Sequence, residues 1–130
     1  MPQMHADETL ANALSERITS RVFCVLNALG TGLVKKVYKN ALPHEMRAAG
    51  ISVVQPKGIT VHYSGIVVGE YVADLVVEET VVVELKAIKT MDAAHTAQCT
   101  NFLKASGLHL CLLLNFGRPR FEIHRVAHEL

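Results

Sequence analysis

The sequence predicts a single α/β domain in which a mixed sheet is flanked by helices. Its 130 residues fit one domain with one core. Apolar residues recur at helical spacing before Gly50 and again between residues 92 and 105. Elsewhere after Gly50 the apolar period falls to about two and β-branched residues dominate, which is typical of strands. The predicted order is α-α-β-β-β-β-α-β with a final short strand, in one domain over residues 1–130.

Two helices are predicted before Gly50. The first covers residues 8–29, with Asp7 as its cap and Gly30-Thr31-Gly32 as its stop. Its candidate buried positions are Leu10, Leu14, Ile18, Val22, Val25, Leu26 and Leu29. The second closes at Gly50, with Leu33, Val37, Leu42 and Met46 as candidate buried positions. Pro43 predicts a kink or a restart in it, because proline has no N–H to donate.

The strands are predicted from short runs rich in valine and isoleucine. They cover residues 51–54, 59–63, 71–77, 80–86, 108–114 and 121–126, the last as an edge strand. The strands 71–77 and 80–86 form a hairpin around Glu78-Glu79, and their near-continuous valine indicates a sheet covered on both faces. A third helix over residues 92–105, ending at Gly107, precedes the strand 108–114.

Composition excludes several classes of protein. Half of the residues are hydrophobic and 19% are charged, which excludes disorder, and the spare apolar surface favours a homodimer or higher homo-oligomer. A net charge of +1 gives no overall attraction to nucleic acid, so local clusters must supply any such binding. We expect no membrane partner and no signal peptide. Three widely spaced cysteines, Cys24, Cys99 and Cys111, each in an apolar stretch, are typical of buried thiols in a reduced, cytoplasmic protein.

Charged residues interrupt the apolar hairpin at Asp74, Glu84 and Lys86. If the turn centres on Glu79, cross-strand partners have numbers that sum to 158, and Asp74 lies opposite Glu84. Lys86 projects from the same face as Glu84, because strand side chains alternate. Opposed carboxylates are destabilising unless a cation lies between them. The pattern therefore indicates an Mg²⁺ site, to which the Leu85 carbonyl adds a ligand, with Lys86 orienting the attacking water. A structural salt bridge of Lys86 with either carboxylate is the alternative.

Gln98 lies in the helix that follows the Lys86 strand. A helix laid back over that strand points the Gln98 amide at the carboxylates, where it can hold water or a phosphate. The alternative is a solvated position on the surface of the helix.

These residues together resemble the PD-(D/E)XK nuclease superfamily, and more closely the small bacterial GxxExxY proteins, an uncharacterised branch of it. The likeness extends over almost the whole chain. It is carried by Ala28-Leu29-Gly30-Thr31-Gly32-Leu33, Val37-Tyr38, Ala41-Leu42, Glu45, Ala73-Asp74-Leu75, Val83-Glu84-Leu85-Lys86-Ala87, His95-Thr96-Ala97-Gln98 and Leu113-Leu114-Asn115-Phe116.

The resemblance implies a restriction-endonuclease-like fold and a metal-dependent phosphodiesterase site. Asp74 and Glu84 would bind Mg²⁺ or Mn²⁺, and Lys86 would position the hydrolytic water. Gln98 would support these residues without binding the metal itself. The substrate implied is the DNA backbone. Tyr38 and His95, which match residues of the family, are accessory candidates.

The chain departs from the family pattern in its helical half. Gly32 and Tyr38 of the naming motif are present, but Lys35 stands at the glutamate position, and Cys24-Val25-Leu26 replaces a run that carries an acid in relatives. Two hypotheses remain open. The first is a metal-dependent DNA nuclease with an incomplete metal site. The second is a non-catalytic nucleic-acid-binding or oligomeric interaction domain on the same fold.

Two basic groups are candidate nucleic-acid contacts. Lys35, Lys36 and Lys39 surround Tyr38, while Arg118 and Arg120 flank Pro119 in a loop. Each phosphate contact would steepen the salt dependence of binding. The alternative for both groups is an ordinary solvated surface.

Overall fold

The computed structural model describes the backbone of residues 2–129 and the side chains of residues 8–129. Its first helix, α1, extends over Pro2–Leu29. The predicted start at residue 8 is wrong, because Asp7 lies inside the helix rather than at its cap. Ala11, Leu14, Ile18, Val22 and Val25 form its buried face. That face excludes two predicted core residues, Leu10 and Leu29, which are 64% and 41% exposed.

The second helix, α2, covers Lys35–Ala48 and continues through Pro43 without a restart. Pro43 cannot donate to the carbonyl of Lys39 four residues earlier. The Nε2 of Gln55 donates to that carbonyl instead, at 2.6 Å, so a side chain from outside the helix supplies the missing bond. Leu42 and Met46 are buried as predicted, whereas Leu33 lies before the helix and is 41% exposed.

In the part of the chain that the structure describes, seven strands form two sheets. Their bounds are β1 Val53–Val54, β2 Lys57–Tyr63, β3 Ile66–Ala73, β4 Leu75–Val77, β5 Val81–Lys86, β6 Leu110–Asn115 and β7 Glu122–Ala127. The main sheet has the order β1-β4-β5-β6-β7. It is mixed, since β5 and β6 are parallel and the other pairs are antiparallel. The predicted edge strand is confirmed in β7.

The hairpin of β4 and β5 has the predicted register. Leu75 pairs with Val83, Val76 with Val82 and Val77 with Val81, and each pair sums to 158. The predicted strand 71–77 is nevertheless divided at Asp74. Its first part belongs to β3, which pairs only with β2 in a separate two-stranded sheet. The chain therefore changes from one sheet to the other at Asp74.

Both faces of the main sheet are covered, as the valine runs predicted. Alternate residues of β5, including Val81, Val83 and Leu85, pack in one cluster with α1 and α2. Val82 packs on the other face in a cluster with Cys99 and Phe102 of the third helix. That helix, α3, covers Ala93–Ser106, with Asp92 as its N-cap and Gly107 as its left-handed C-cap.

Two of the three cysteines are buried, Cys99 and Cys111, while Cys24 is exposed. The prediction of a buried Cys24 is wrong because this residue lies on α1 between Val22 and Val25, which take the core-facing positions.

The β2–β3 hairpin is the most exposed apolar element among the described residues. Tyr63, Ile66 and Val72 are 71%, 65% and 64% exposed. Its base is anchored, since Ala73 is buried in the α3 cluster and Ile59 packs against it. Within the described residues, no helix has the length and apolarity needed to cross a membrane.

Candidate functional site

Asp74 occupies the break between β3 and β4 and is only 8% exposed. Its Oδ2 accepts a hydrogen bond from the backbone N–H of Leu85 at 2.8 Å. Its own backbone N–H donates to Oε1 of Glu84 at 3.0 Å. These two bonds hold the carboxylates of Asp74 and Glu84 on neighbouring chain segments, in the opposed arrangement that the hairpin register predicted.

Glu84 and Lys86 lie on the α3 side of the sheet, because they follow Val82 by two and four residues and therefore share its face, which packs there. Burial raises the pKa of the Glu84 carboxyl, and the nearby charge of Asp74 raises it further. The bond from the Asp74 amide and the charges of Lys86 and Lys35 oppose this shift but do not cancel it. The negative charge of Glu84 is therefore under-compensated, and an added cation would stabilise it.

Two lysines of α2 lie against Asp74. The Nζ of Lys35 is 3.1 Å from Oδ2 and the Nζ of Lys39 is 3.6 Å from Oδ1. Lys35 is the first residue of α2, whose N-cap, Val34, provides no side-chain bond and whose first turn has no acid. A positive side chain is disfavoured at a helix N-terminus. Asp74 therefore supplies the negative charge that this helix end otherwise lacks.

Lys86 does not form the salt bridge that was the structural alternative for it. Its Nζ donates to Oε1 of Gln98 at 3.2 Å, and no ion pair in the described part of the chain includes it. Gln98 is exposed on α3, yet its amide points to the site rather than to open solvent.

These side chains line one cavity of about 200 Å³. Its lining consists of Lys35, Tyr71, Val72, Asp74, Glu84, Lys86, Gln98 and Phe102. The donor set suits a hard divalent cation, which takes one or two carboxylates and completes its shell with water. The side chains of residues 8–129 include no cluster of three or more histidine, cysteine, aspartate or glutamate groups placed to hold a metal. Lys35, which stands at the glutamate position of the motif described above, lines the cavity in place of a third acid.

The remaining predicted residues lie outside this lining. Tyr38 is fully buried and stacks on Phe116 at 4.0 Å, and its hydroxyl donates to the carbonyl of Gly30 at 2.8 Å. His95 completes a capping box with Asp92 at the start of α3. These contacts give Tyr38 and His95 a structural role.

The basic candidates divide into two groups. Lys35 and Lys39 reach Asp74, whereas Lys36 is exposed on the same helix. Arg118 is exposed and lies 3.4 Å from Oε1 of Glu122, and Arg120 is exposed in the loop between β6 and β7. Neither arginine lines the cavity.

Sequence reasoning did not anticipate two walls of the cavity, Tyr71 and Val72, or the contact of Lys35 and Lys39 with Asp74. One local signal was present. Lys35 and Lys39 are spaced i, i+4, so they share a helix face and can address one carboxylate together. No local signal marks Tyr71 and Val72, because their role depends on the turn of the chain at Asp74.

A mixed sheet covered by helices, with an aspartate at a strand break and a Glu-x-Lys strand beside it, defines a nuclease-like fold. The chain belongs to the PD-(D/E)XK nuclease superfamily, whose sequence model matches residues 12–126. A solved structure titled "Crystal structure of SSO0001" is similar in fold, with a TM-score of 0.55 at 12% identity over 94% of this chain. This chain corresponds to 62% of that one. No curated protein matches the sequence.

Proposed function

We propose that the protein is a metal-dependent nuclease that hydrolyses DNA phosphodiester bonds, using Mg²⁺ or Mn²⁺. The observation that carries this proposal is the convergence of Asp74, Glu84, Lys86 and Gln98 on one cavity. These four residues come from two elements, β5 and α3, and from the break between β3 and β4, and their chemistry suits phosphate hydrolysis. We also assign the chain to the GxxExxY branch, on the resemblance of its motifs.

Asp74 and Glu84 would hold the metal, with the Leu85 carbonyl as an additional oxygen ligand. When bound, the metal would stabilise negative charge on the phosphate. The backbone N–H of Asp74 donates to Oε1 of Glu84. The other carboxylate oxygen of Glu84 has no described hydrogen-bond partner. The negative charge of this carboxylate is under-compensated, as described above, which supports cation binding at this position.

Lys86 would position the hydrolytic water. Its ammonium has three donors, and the bond to Gln98 uses one of them, so two remain for a water molecule or a phosphate oxygen. Gln98 would set the direction of the lysine side chain. Its assigned role is therefore that of a positioning residue.

DNA would reach the cavity along the basic face of α2, through Lys35, Lys36 and Lys39. Arg118 and Arg120 are more peripheral contacts in this proposal. Each phosphate contact contributes to the salt dependence of binding, with a slope of roughly 0.9 per contact on a duplex. Substitution of Lys36 should therefore lower that slope without changing the site.

The proposal is tested by a nuclease assay with Mn²⁺ on the wild type, Glu84→Ala and Lys86→Ala. We expect cleavage by the wild type, and its loss by at least about a hundredfold in each variant, the scale of one general acid–base group. Glu16→Gln, an exposed substitution on α1 away from the cavity, is the control and should cleave normally. Equal cleavage by all four proteins would reject the assignment.

Calorimetry provides a second test that does not depend on turnover. Mn²⁺ should bind the wild type and fail to bind Asp74→Ala. Binding of the same strength to both proteins would remove Asp74 from the metal site.

A second candidate is a non-catalytic domain that binds nucleic acid or assembles into oligomers. The Lys35–Asp74 ion pair favours it, because an internal ammonium already neutralises the carboxylate. Retention of DNA by a wild type that neither binds Mn²⁺ nor cleaves would select this candidate.

A further inference from the structure

The cation nearest to Asp74 is part of the chain itself. Lys35 Nζ lies 3.1 Å from Oδ2, and Oδ2 also accepts the Leu85 N–H. A divalent cation that uses this carboxylate must take the place of an ammonium or share the oxygen with it. Two positive charges at one carboxylate oxygen repel each other.

We propose that Lys35 is an internal competitor for the metal at Asp74, and that its release on metal binding provides a contact for the DNA phosphate. Metal and DNA then bind cooperatively through this one side chain. This inference rests on the proposed nuclease function and deepens it. It assigns Lys35 a role that differs from that of a simple surface lysine.

Lys35 is better placed for this role than Lys39. Its Nζ is nearer to Asp74, at 3.1 Å compared with 3.6 Å. Lys35 also lines the cavity together with both carboxylates, whereas Lys39 does not. Its charge also reaches Glu84 and acts against the raised pKa of that carboxyl. Lys35 therefore lies where a bound cation would compensate both acids.

The helix does not hold Lys35 in position. A positive charge at the first residue of α2 opposes the helix dipole, so the attraction to Asp74 is what keeps the ammonium there. Its side chain is 39% exposed, compared with 10% for Asp74. A long lysine side chain at this exposure can rotate toward solvent while Asp74 keeps its contacts with Leu85 and Lys39.

The cooperative behaviour follows from linkage. If metal binding frees Lys35 for a phosphate, DNA binding must favour metal binding by the same factor. The free protein is then a weak metal binder, and the complete site forms only when the substrate is present. Such a protein would bind little metal when DNA is absent.

The test compares Mn²⁺ binding by calorimetry in the absence of DNA. Lys35→Met should bind Mn²⁺ about tenfold more tightly than the wild type, a change of about 1.4 kcal/mol. Lys36→Met removes the same charge from the next residue, which has no contact with Asp74, and should stay within about twofold of the wild type. Circular dichroism confirms that each variant is folded.

A second arm measures coupling in a Lys86→Ala background, in which DNA is expected to stay uncut. There, Mn²⁺ should tighten binding of a short duplex, and the added Lys35→Met substitution should reduce that effect.

The possible outcomes distinguish the competition of Lys35 with the metal from the proposed nuclease function. Equal Mn²⁺ affinity in Lys35→Met and the wild type, or an equal gain in Lys36→Met, overturns the competition while leaving the nuclease proposal in place. Failure of both the wild type and Lys35→Met to bind Mn²⁺ at millimolar concentration, together with absent cleavage, overturns both.

Discussion

Asn115 offers a stability test whose size can be worked out from its contacts. The side chain is fully buried at the end of β6. Its Oδ1 accepts from the N–H groups of Ile88 and Gly117, at 3.1 and 3.0 Å. Its Nδ2 donates to the carbonyl of Ile88 at 3.0 Å and to Glu122 at 3.1 Å. One amide thus joins the segments that follow β5 and β6 and the start of β7.

The substitution Asn115→Ala leaves three backbone groups without their partners. An unsatisfied buried group costs about 1–3 kcal/mol. These groups are only partly buried, so water can replace part of each bond, and the low end of that range applies. We therefore expect the free energy of unfolding to fall by about 3 kcal/mol.

Urea denaturation followed by circular dichroism measures this change, with Asn40→Ala as the control. Asn40 is exposed on α2, and its replacement should shift stability by no more than about 0.5 kcal/mol. A loss below about 1 kcal/mol for Asn115→Ala, at an unchanged denaturant slope, would refute the reasoning. A separate readout is Glu122, whose pKa is lowered chiefly by the bond from Asn115 and should move back toward its usual range.

Two further predictions concern the site and its supporting loop. In metal-free protein, Glu84→Gln should raise the free energy of unfolding at pH 8 by about 0.5–1 kcal/mol, the scale of opposed charges on adjacent strands. The raised pKa of Glu84 means that its ionisation costs stability as pH rises through the folded-state value. The gain in the free energy of unfolding should therefore vanish near pH 4. Urea titrations at both pH values measure this gain, and a gain of the same size at pH 4 and pH 8 would contradict the prediction. Gly117→Ala should lower stability by about 1–3 kcal/mol, since its Cβ would lie 2.2 Å from the backbone nitrogen of Ile88. Gly69→Ala, which meets nothing within 4 Å, is the control, and an equal loss of Tm in both would exclude a clash.

Local pattern predicted much of the fold. The spacing of apolar residues predicted three helices, and valine-rich runs around Glu78-Glu79 predicted the register of β4 and β5. That register, together with strand alternation, was enough to bring Asp74, Glu84 and Lys86 together. These features depend on residues close in sequence, where periodicity and turn position determine geometry.

The predictions were wrong where the structure depends on contacts between residues that are far apart in sequence. Leu10 satisfies the helical period, but the described packing of α1 ends at Ala11. The division of the strand at Asp74 depends on β3 pairing with β2 rather than remaining in the main sheet. The contact of Lys35 with Asp74 joins residues far apart in sequence. The i, i+4 spacing of Lys35 and Lys39 indicates that they can share a carboxylate, but it does not identify that carboxylate as Asp74.

The exposed β2–β3 hairpin has a consequence for the changes of sequence that the fold can accept. Val54 of β1 pairs with Val76 of β4, so these strands would be simple neighbours without the chain between them. Residues 57–73 therefore form an insertion between adjacent strands, and length changes at its tip, near Ser64, leave the main sheet in register. Its base differs, because Tyr71 and Val72 line the cavity. Substitutions at the tip therefore leave the cavity unaltered, whereas substitutions of Tyr71 and Val72 change the wall next to Asp74.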